Sequence, residues 1–158
     1  MSIFLRAIEF LGLGIWLGSD IFLSFVVAPG AFSVLASRAQ AGAIVGYSLG
    51  RMHWMGIVCG VVVLLARLLR IRSLTALVAP AALCVMFMII LTVISQVAVS
   101  PKMAVLRVQM GSIEASAAGS PWLAEFARLH TISVALESGV LLAGMAALFL
   151  MVKDAAVR

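Results

Sequence analysis

Four apolar stretches in this chain are long enough to cross a lipid bilayer, and they constrain the fold more than any other feature. Residues 73–101 contain no charged side chain, and residues 138–152 are also uncharged. A membrane-spanning helix needs about 20 predominantly apolar residues. Only 11% of the 158 residues are charged, whereas soluble domains carry about 25%. We therefore predict an all-α fold, a polytopic integral membrane four-helix bundle that forms a single transmembrane domain over residues 1–158.

The limits of the helices are predicted from breaks in the apolar pattern. Spanning helices are expected over residues 3–28, 51–70, 73–99 and 121–152. The first should end near Pro29 and the third before Pro101, because proline breaks regular helical structure. Residues 32–50 mix charged, small and apolar side chains, which favours a helix lying at the membrane interface. The polar residues 102–119 are expected to connect the third helix to the fourth.

The charge distribution indicates which partners and which orientation to expect. The formal net charge is +5, but the basic residues flank the spans instead of forming one face, so we predict the lipid bilayer and no nucleic acid as a partner. Arg67, Arg70 and Arg72 crowd the short connection between the second and third spans, which is typical of a cytoplasmic loop. Both termini would then be cytoplasmic. Cys59 and Cys84 are isolated, which predicts neither a disulfide nor a zinc framework.

Small residues recur at a spacing of four within the predicted spans, which is typical of helices that approach closely in lipid. This spacing would also serve contact with a second copy of the chain or with another membrane protein. The residues are Gly14, Gly18, Gly56, Gly60, Gly139, Ala143 and Ala147.

Ionisable side chains interrupt three of the four spans. Glu9 and Asp20 lie in the first span, His53 opens the second, and His130 and Glu137 lie in the fourth. A charge at membrane depth costs several kcal/mol, so such a residue is expected to face the protein interior or a wet cavity and is a functional candidate. The chain contains no sequence motif that is typical of a particular reaction, and we predict no catalytic residue.

Helix phase and the assumed topology bring these residues together in two groups. Residues seven or eleven apart share a helix face. Asp20, His53, Gln96 and His130 should lie at a similar level in the outer half of the membrane, with Glu137 somewhat deeper, and we predict that these five form a ligand-binding site. At the opposite end, we predict that Glu9 and Arg67 form a structural ion pair.

The outer group supports several interpretations. Its charges could fix helix register as buried pairs without binding a ligand. Asp20, His53, His130 and Glu137 could hold a transition metal, although the chain lacks H-E-x-x-H spacing, and His53 with His130 could ligate haem. Histidine and carboxylate groups could also accompany proton-coupled movement of a small solute.

These interpretations lead to three functional hypotheses. The first is a non-enzymatic membrane protein that binds or passes a small solute or metal ion. The second is a membrane oxidoreductase that holds haem or a non-haem metal. The third is a structural or partner-binding membrane subunit.

Several stretches, in their order along the chain, resemble the transmembrane-protein-205-like family, whose bacterial members are small membrane proteins of unknown function. The stretches are IWLGSDIFLSFVVAPGAFSVL, AGAIVGYSLGRMHW, SPKMAVLRV and FARLHTISVALESGVLLAGMAAL. The resemblance implies a four-helix integral membrane protein, with a bacterial inner membrane as the expected location. It also implies that certain positions are typical of the family, namely Trp16, Gly18, Pro29, Gly42, Pro101, Arg107 and His130.

The tryptophan-x-glycine landmark at Trp16 is also distantly similar to haem-associated protoporphyrinogen oxidases and copper-resistance membrane proteins. Those oxidases carry a histidine two helical turns before the tryptophan. This chain has Glu9 at the corresponding position. Since glutamate is a poor axial ligand for haem, the departure disfavours haem as a cofactor.

Overall fold

The structure is a computed structural model that describes residues 2–110 and 120–156, and these residues form long helices without a β-strand. Each helix is long and apolar enough to span a membrane, which confirms the predicted all-α four-helix bundle. The helices are α1 (Ser2–Val34), α2 (Arg38–Ile71), α3 (Pro80–Met110) and α4 (Pro121–Ala156). At 31 to 36 residues each, they are about 45–55 Å long. They therefore exceed the hydrocarbon thickness of about 30 Å.

The four helices form a closed ring in which each packs against two neighbours. Helix α1 packs on α2, α2 on α3, α3 on α4, and α4 returns to α1. Glu9 near the start of α1 contacts Arg70 at the end of α2, and Arg67 of α2 contacts Asp154 at the end of α4. Consecutive helices in this arrangement run antiparallel. We call the end that holds these four residues the terminal end and the opposite end the cavity end.

Two helices continue through prolines that were predicted to end them. Helix α1 passes Pro29 and runs to Val34, and α3 passes Pro101 and runs to Met110. Proline lacks an N–H and its ring crowds the carbonyl four residues earlier. In both helices a wider π-helical turn lies just before the proline, at Leu23–Val27 and at Ser95–Val99. The proline then occupies the second position of a new α-helical segment, where it is tolerated.

The predicted interfacial helix over residues 32–50 does not form a separate element. It is divided between the end of α1 and the start of α2, which begins at Arg38 after the Ser37 hydroxyl accepts a hydrogen bond from the Gln40 N–H. Of the predicted connection over residues 102–119, residues 102–110 belong to α3, and residues 111–119 lie outside the described part of the chain.

Polar and apolar residues are distributed as a lipid environment requires. Large apolar side chains such as Phe4, Val97 and Phe149 are more than 60% exposed on the outer surface. Charged side chains, among them Glu9 and Asp20, lie buried in the interior. In water the apolar exterior would be unfavourable, whereas in a bilayer it contacts lipid chains.

An apolar core fills the half of the bundle nearer the terminal end, with Leu13, Trp16 and Met88 at its centre. The Trp16 indole lies against Gly56 and Gly60 of α2, which leave room for the ring. This contact agrees with the expected role of small residues in α2.

The small residues of α1 behave differently from the prediction. A Cβ atom at Gly14 or Gly18 would meet nothing within 4 Å, so these two glycines make no close contact within the bundle. Gly12 performs this role in α1, because a Cβ atom there would lie 2.8 Å from Val63 of α2.

Candidate ligand-binding cavity

The four helices enclose a cavity of about 1160 Å³ in the half of the bundle nearer the cavity end. All four helices contribute to its wall, over residues 20–32, 38–50, 96–108 and 126–141. Small-molecule sites are typically clefts of about 300–1,000 Å³ lined by apolar side chains with a few polar groups. The cavity is slightly larger than this range and has that kind of lining.

A hydrogen-bonded network centred on His53 forms the floor of the cavity. The imidazole is fully buried. Its Nδ1 lies 2.8 Å from Gln96 Oε1, and its Nε2 lies 2.6 Å from Glu137 Oε1. The Ser95 hydroxyl donates to the same Glu137 oxygen at 3.2 Å. The amide oxygen requires a proton on Nδ1, so a second proton is held between Nε2 and the Glu137 carboxyl group.

Asp20 completes the floor from α1. The side chain is buried, and one of its oxygens accepts a hydrogen bond from the Ser24 hydroxyl at 3.4 Å. Asp20 Oδ2 and Glu137 Oε2 are buried without a hydrogen-bond partner among the described residues. A buried polar atom that lacks a partner costs about 1–3 kcal/mol. The floor therefore keeps hydrogen-bonding capacity that the described residues do not use.

The structure brings together four of the five predicted site residues. Asp20, Gln96 and Glu137 line the cavity, and His53 lies directly beneath them. Each of the four is within two residues of the middle of its helix. The sequence prediction placed Asp20, His53 and Gln96 in the outer half of the membrane and Glu137 somewhat deeper. In the structure all four lie near the middle of their helices, because α1, α2 and α3 extend further at the cavity end than predicted.

His130 lies apart from this network. It is exposed on the cavity wall and precedes Glu137 by two turns of α4, about 10 Å along the helix. The predicted metal ligands Asp20, His53, His130 and Glu137 therefore do not converge. Within residues 2–110 and 120–156, no group of three or more His, Cys, Asp or Glu side chains is arranged to hold a metal ion.

The geometry of His53 also does not fit haem ligation. Both ring nitrogens are engaged, one with Gln96 and one with Glu137. A metal ligand needs a free nitrogen lone pair, and His53 offers none while these contacts hold. Ligation by His53 and His130 is thus not supported by the arrangement of the residues.

Arg107 is a cavity residue that the sequence prediction missed. It is half-buried on α3, lines the cavity, and its guanidinium lies 5.4 Å from the centre of the Phe126 ring. It was assigned to a polar connection because α3 was expected to end before Pro101. Its spacing of eleven residues from Gln96 could have indicated this role, because residues eleven apart lie on one helix face.

A second polar cluster lies at the terminal end and ties three helices together. Arg70 contacts both Glu9 oxygens, at 2.5 and 3.1 Å, and Arg67 lies 3.5 Å from Glu9. Arg67 also pairs with Asp154 at 2.8 Å and donates to the Ala76 carbonyl at 3.3 Å. The predicted pair of Glu9 and Arg67 is present, but Arg70 is the nearer partner. Arg70 was not predicted as a partner of Glu9, because it was interpreted only as part of the basic connection between the second and third spans.

The protein is an all-α bundle of four helices, each long and apolar enough to span a membrane, which surround a mostly apolar cavity with a polar floor. The chain belongs to the family described as Domain of unknown function (DUF4149), which matches residues 11–112. The match covers most of α1 and all of α2 and α3, and thus Asp20, His53 and Gln96, whereas Glu137 lies beyond it. Comparison with curated proteins and with solved structures gave no match.

Proposed function

We propose that this protein binds a small solute in the cavity between its four helices. Asp20, Gln96 and Glu137 would contact the solute, and His53 would hold Gln96 and Glu137 in position. The observation that carries the proposal is the presence of buried carboxylate oxygens that lack a hydrogen-bond partner among the described residues, at the floor of a cavity of about 1160 Å³. Ionisable groups at membrane depth are costly, and proteins retain them where they serve a ligand or ion.

The local backbone supports the same assignment. The π-helical turns at Leu23–Val27 and Ser95–Val99 flank the floor, and they carry Ser24, Ser95 and Gln96. Such turns occur frequently at functional sites, because the extra residue redirects neighbouring side chains. Here they direct hydroxyl and amide groups toward Asp20, His53 and Glu137.

The packing supports binding in preference to passage. Beneath the floor, Leu13, Trp16 and Met88 are at most 1% exposed. A solute that enters from the cavity end would meet this packed core. Passage through the membrane would require the terminal half of the bundle to rearrange.

Three finer proposals concern the surroundings of the protein. We propose that the terminal end faces the cytoplasm of a bacterial inner membrane, which the cluster of Arg67, Arg70 and Arg72 supports. We propose that Gly14 and Gly18, which face outward, are where a second copy or another membrane protein would pack. We also propose that the chain is related to the transmembrane-protein-205-like family, which the four resembling stretches and their order along the chain support.

The proposed function predicts that filling the cavity removes a bound solute. Ala104 lines the cavity, whereas the next residue, Val105, is 56% exposed outside the lining. In Ala104→Trp the indole would occupy cavity volume, and in Val105→Trp it would contact lipid. Wild type and both variants would be purified from the same host membranes, and the small molecules extracted from each would be compared by mass spectrometry.

We expect at least one compound to be enriched with wild type and with Val105→Trp and to be depleted at least tenfold with Ala104→Trp. Equal amounts of each compound in all three preparations would contradict the proposal. The amount of folded protein, measured by gel filtration, serves to normalise the comparison.

A further inference from the structure

We propose that the solute is an amphiphile whose oxyanion headgroup, a carboxylate or a phosphate, binds to Arg107 on the cavity wall. This inference rests on the proposed function, because it names the class of solute that the cavity takes. Two observations support it: the Arg107 guanidinium has no anionic partner among the described residues, and the surrounding cavity walls are mostly apolar.

The Arg107 guanidinium has no anionic partner among the described residues. It forms no hydrogen bond and no ion pair there, and its Nε atom is buried without a partner. A guanidinium carries five N–H donors in a planar fork that matches a carboxylate or phosphate group. An unpaired charge in such surroundings is costly. An oxyanion would satisfy these donors and neutralise the charge.

The surrounding residues hold the guanidinium in a defined place. Phe126 of α4 lies 5.4 Å from it on one side. On α2, a Cβ atom at Gly46 would lie 2.6 Å from Arg107 Nη1, whereas one at Gly42 would lie at 3.8 Å, an ordinary contact. Gly46 is therefore the residue that leaves space for the guanidinium group.

The positive and negative groups of the cavity are separated along its length. Arg107 follows Gln96 by eleven residues, about 16 Å along α3. His130 also lines the cavity. The carboxyl groups of Asp20 and Glu137 belong to the floor. An anion is thus favoured at the level of Arg107 and disfavoured at the floor.

The walls require that the anion carry an apolar part. Most of the lining is apolar and includes Phe25, Val45, Leu49, Met103 and Val134. A small hydrated anion would leave these side chains facing water. An apolar chain attached to the headgroup would cover them and gain the free energy of burial.

The test is native mass spectrometry of the full chain, purified in a non-ionic detergent and mixed with defined probes. The anionic probes are dodecanoate and dodecyl phosphate, which distinguish a fatty acid from a phosphate headgroup. Dodecyltrimethylammonium has a similar chain and the opposite charge, and inorganic phosphate has no chain. We expect wild type to retain one molecule of at least one anionic probe and to bind the cation and inorganic phosphate at least tenfold more weakly.

The variants separate the guanidinium from the rest of the cavity. Since a hydrogen bond to a charged group is worth about a tenfold change in affinity or more, Arg107→Gln should weaken binding of the anionic probe by at least that factor. Gly46→Ala, which displaces the guanidinium but keeps its charge, should also weaken binding, and Gly42→Ala should not. Gly46→Ala thus tests the site even where Arg107→Gln folds poorly.

Equal binding of the anionic probe by wild type and Arg107→Gln would overturn this inference, as would equal binding of the cationic probe. If the compounds depleted by Ala104→Trp are cations or uncharged molecules, the inference fails and the proposed function stands. If Ala104→Trp depletes no compound, the proposed function fails as well.

Discussion

Replacing Glu9 by glutamine is expected to lower the free energy of unfolding by about 3–5 kcal/mol. The glutamine leaves the guanidinium groups of Arg67 and Arg70 beside a neutral amide, and both arginines are largely buried. Removing one partner of a buried ion pair is costly because the remaining charge keeps its desolvation penalty. Unfolding by sodium dodecyl sulfate in mixed micelles, followed by the loss of helical circular dichroism, would measure the change.

The matched control is the same substitution at an exposed pair. Glu125 lies 3.7 Å from Arg128, and both side chains are at least 47% exposed. Since exposed pairs contribute about 0–1 kcal/mol, Glu125→Gln should shift the transition little. If Glu9→Gln and Glu125→Gln shift the transition equally, the terminal-end cluster does not hold the helices together.

Replacing Gly56 by alanine is expected to destabilise the bundle by about 1–3 kcal/mol or more. The new methyl group would overlap the indole of Trp16, which is fully buried between α1 and α2. A rigid buried ring cannot move aside without shifting a helix, and overpacking of a filled core costs about this much. The same micelle titration would detect the loss of stability.

Gly18→Ala, on the helix that faces Gly56, is expected to leave stability unchanged or to raise it. A Cβ atom at Gly18 would meet nothing within 4 Å. Alanine is favoured over glycine inside a helix by about 0.5–1 kcal/mol, so Gly18→Ala should be neutral or stabilising. A loss of stability in Gly18→Ala as large as that in Gly56→Ala would show that the two glycines are not in the different surroundings described.

The number of spans could be predicted from the sequence because hydropathy over about 20 residues decides whether a helix can enter lipid. The ends of the helices could not. A proline in an apolar run predicts a break, and nothing in the residues before Pro29 or Pro101 indicates that a π-helical turn will accommodate it. As a consequence, α1 and α3 are longer than predicted. Residues that line the cavity were predicted to lie in an interfacial helix and in a polar connection.

The candidate site was predicted only in part, because the ends of the helices were not predicted correctly. Helix phase was sufficient for Asp20, His53, Gln96 and Glu137, since each faces the interior and each lies in a predicted span. Arg107 was not recognised as a cavity residue because it fell in a predicted connection. His130 was placed at the level of His53 from its expected depth in the fourth span, but it lies on the cavity wall, two helical turns from Glu137.

The accessibility of cavity residues within a membrane tests directly whether the four helices enclose a cavity that is open to solutes. Ser100 lines the cavity, and Val97, three residues earlier on α3, is 67% exposed on the outer surface. Each would be replaced by cysteine in a chain carrying Cys59→Ala and Cys84→Ala, placed in phosphatidylcholine nanodiscs and treated with the polar reagent sulfonatoethyl methanethiosulfonate. Reaction requires the thiolate, which forms in water and not in lipid. We expect Ser100→Cys to react at least tenfold faster than Val97→Cys, whereas equal rates, or no reaction at Ser100→Cys, would contradict a cavity open to solutes between the four helices.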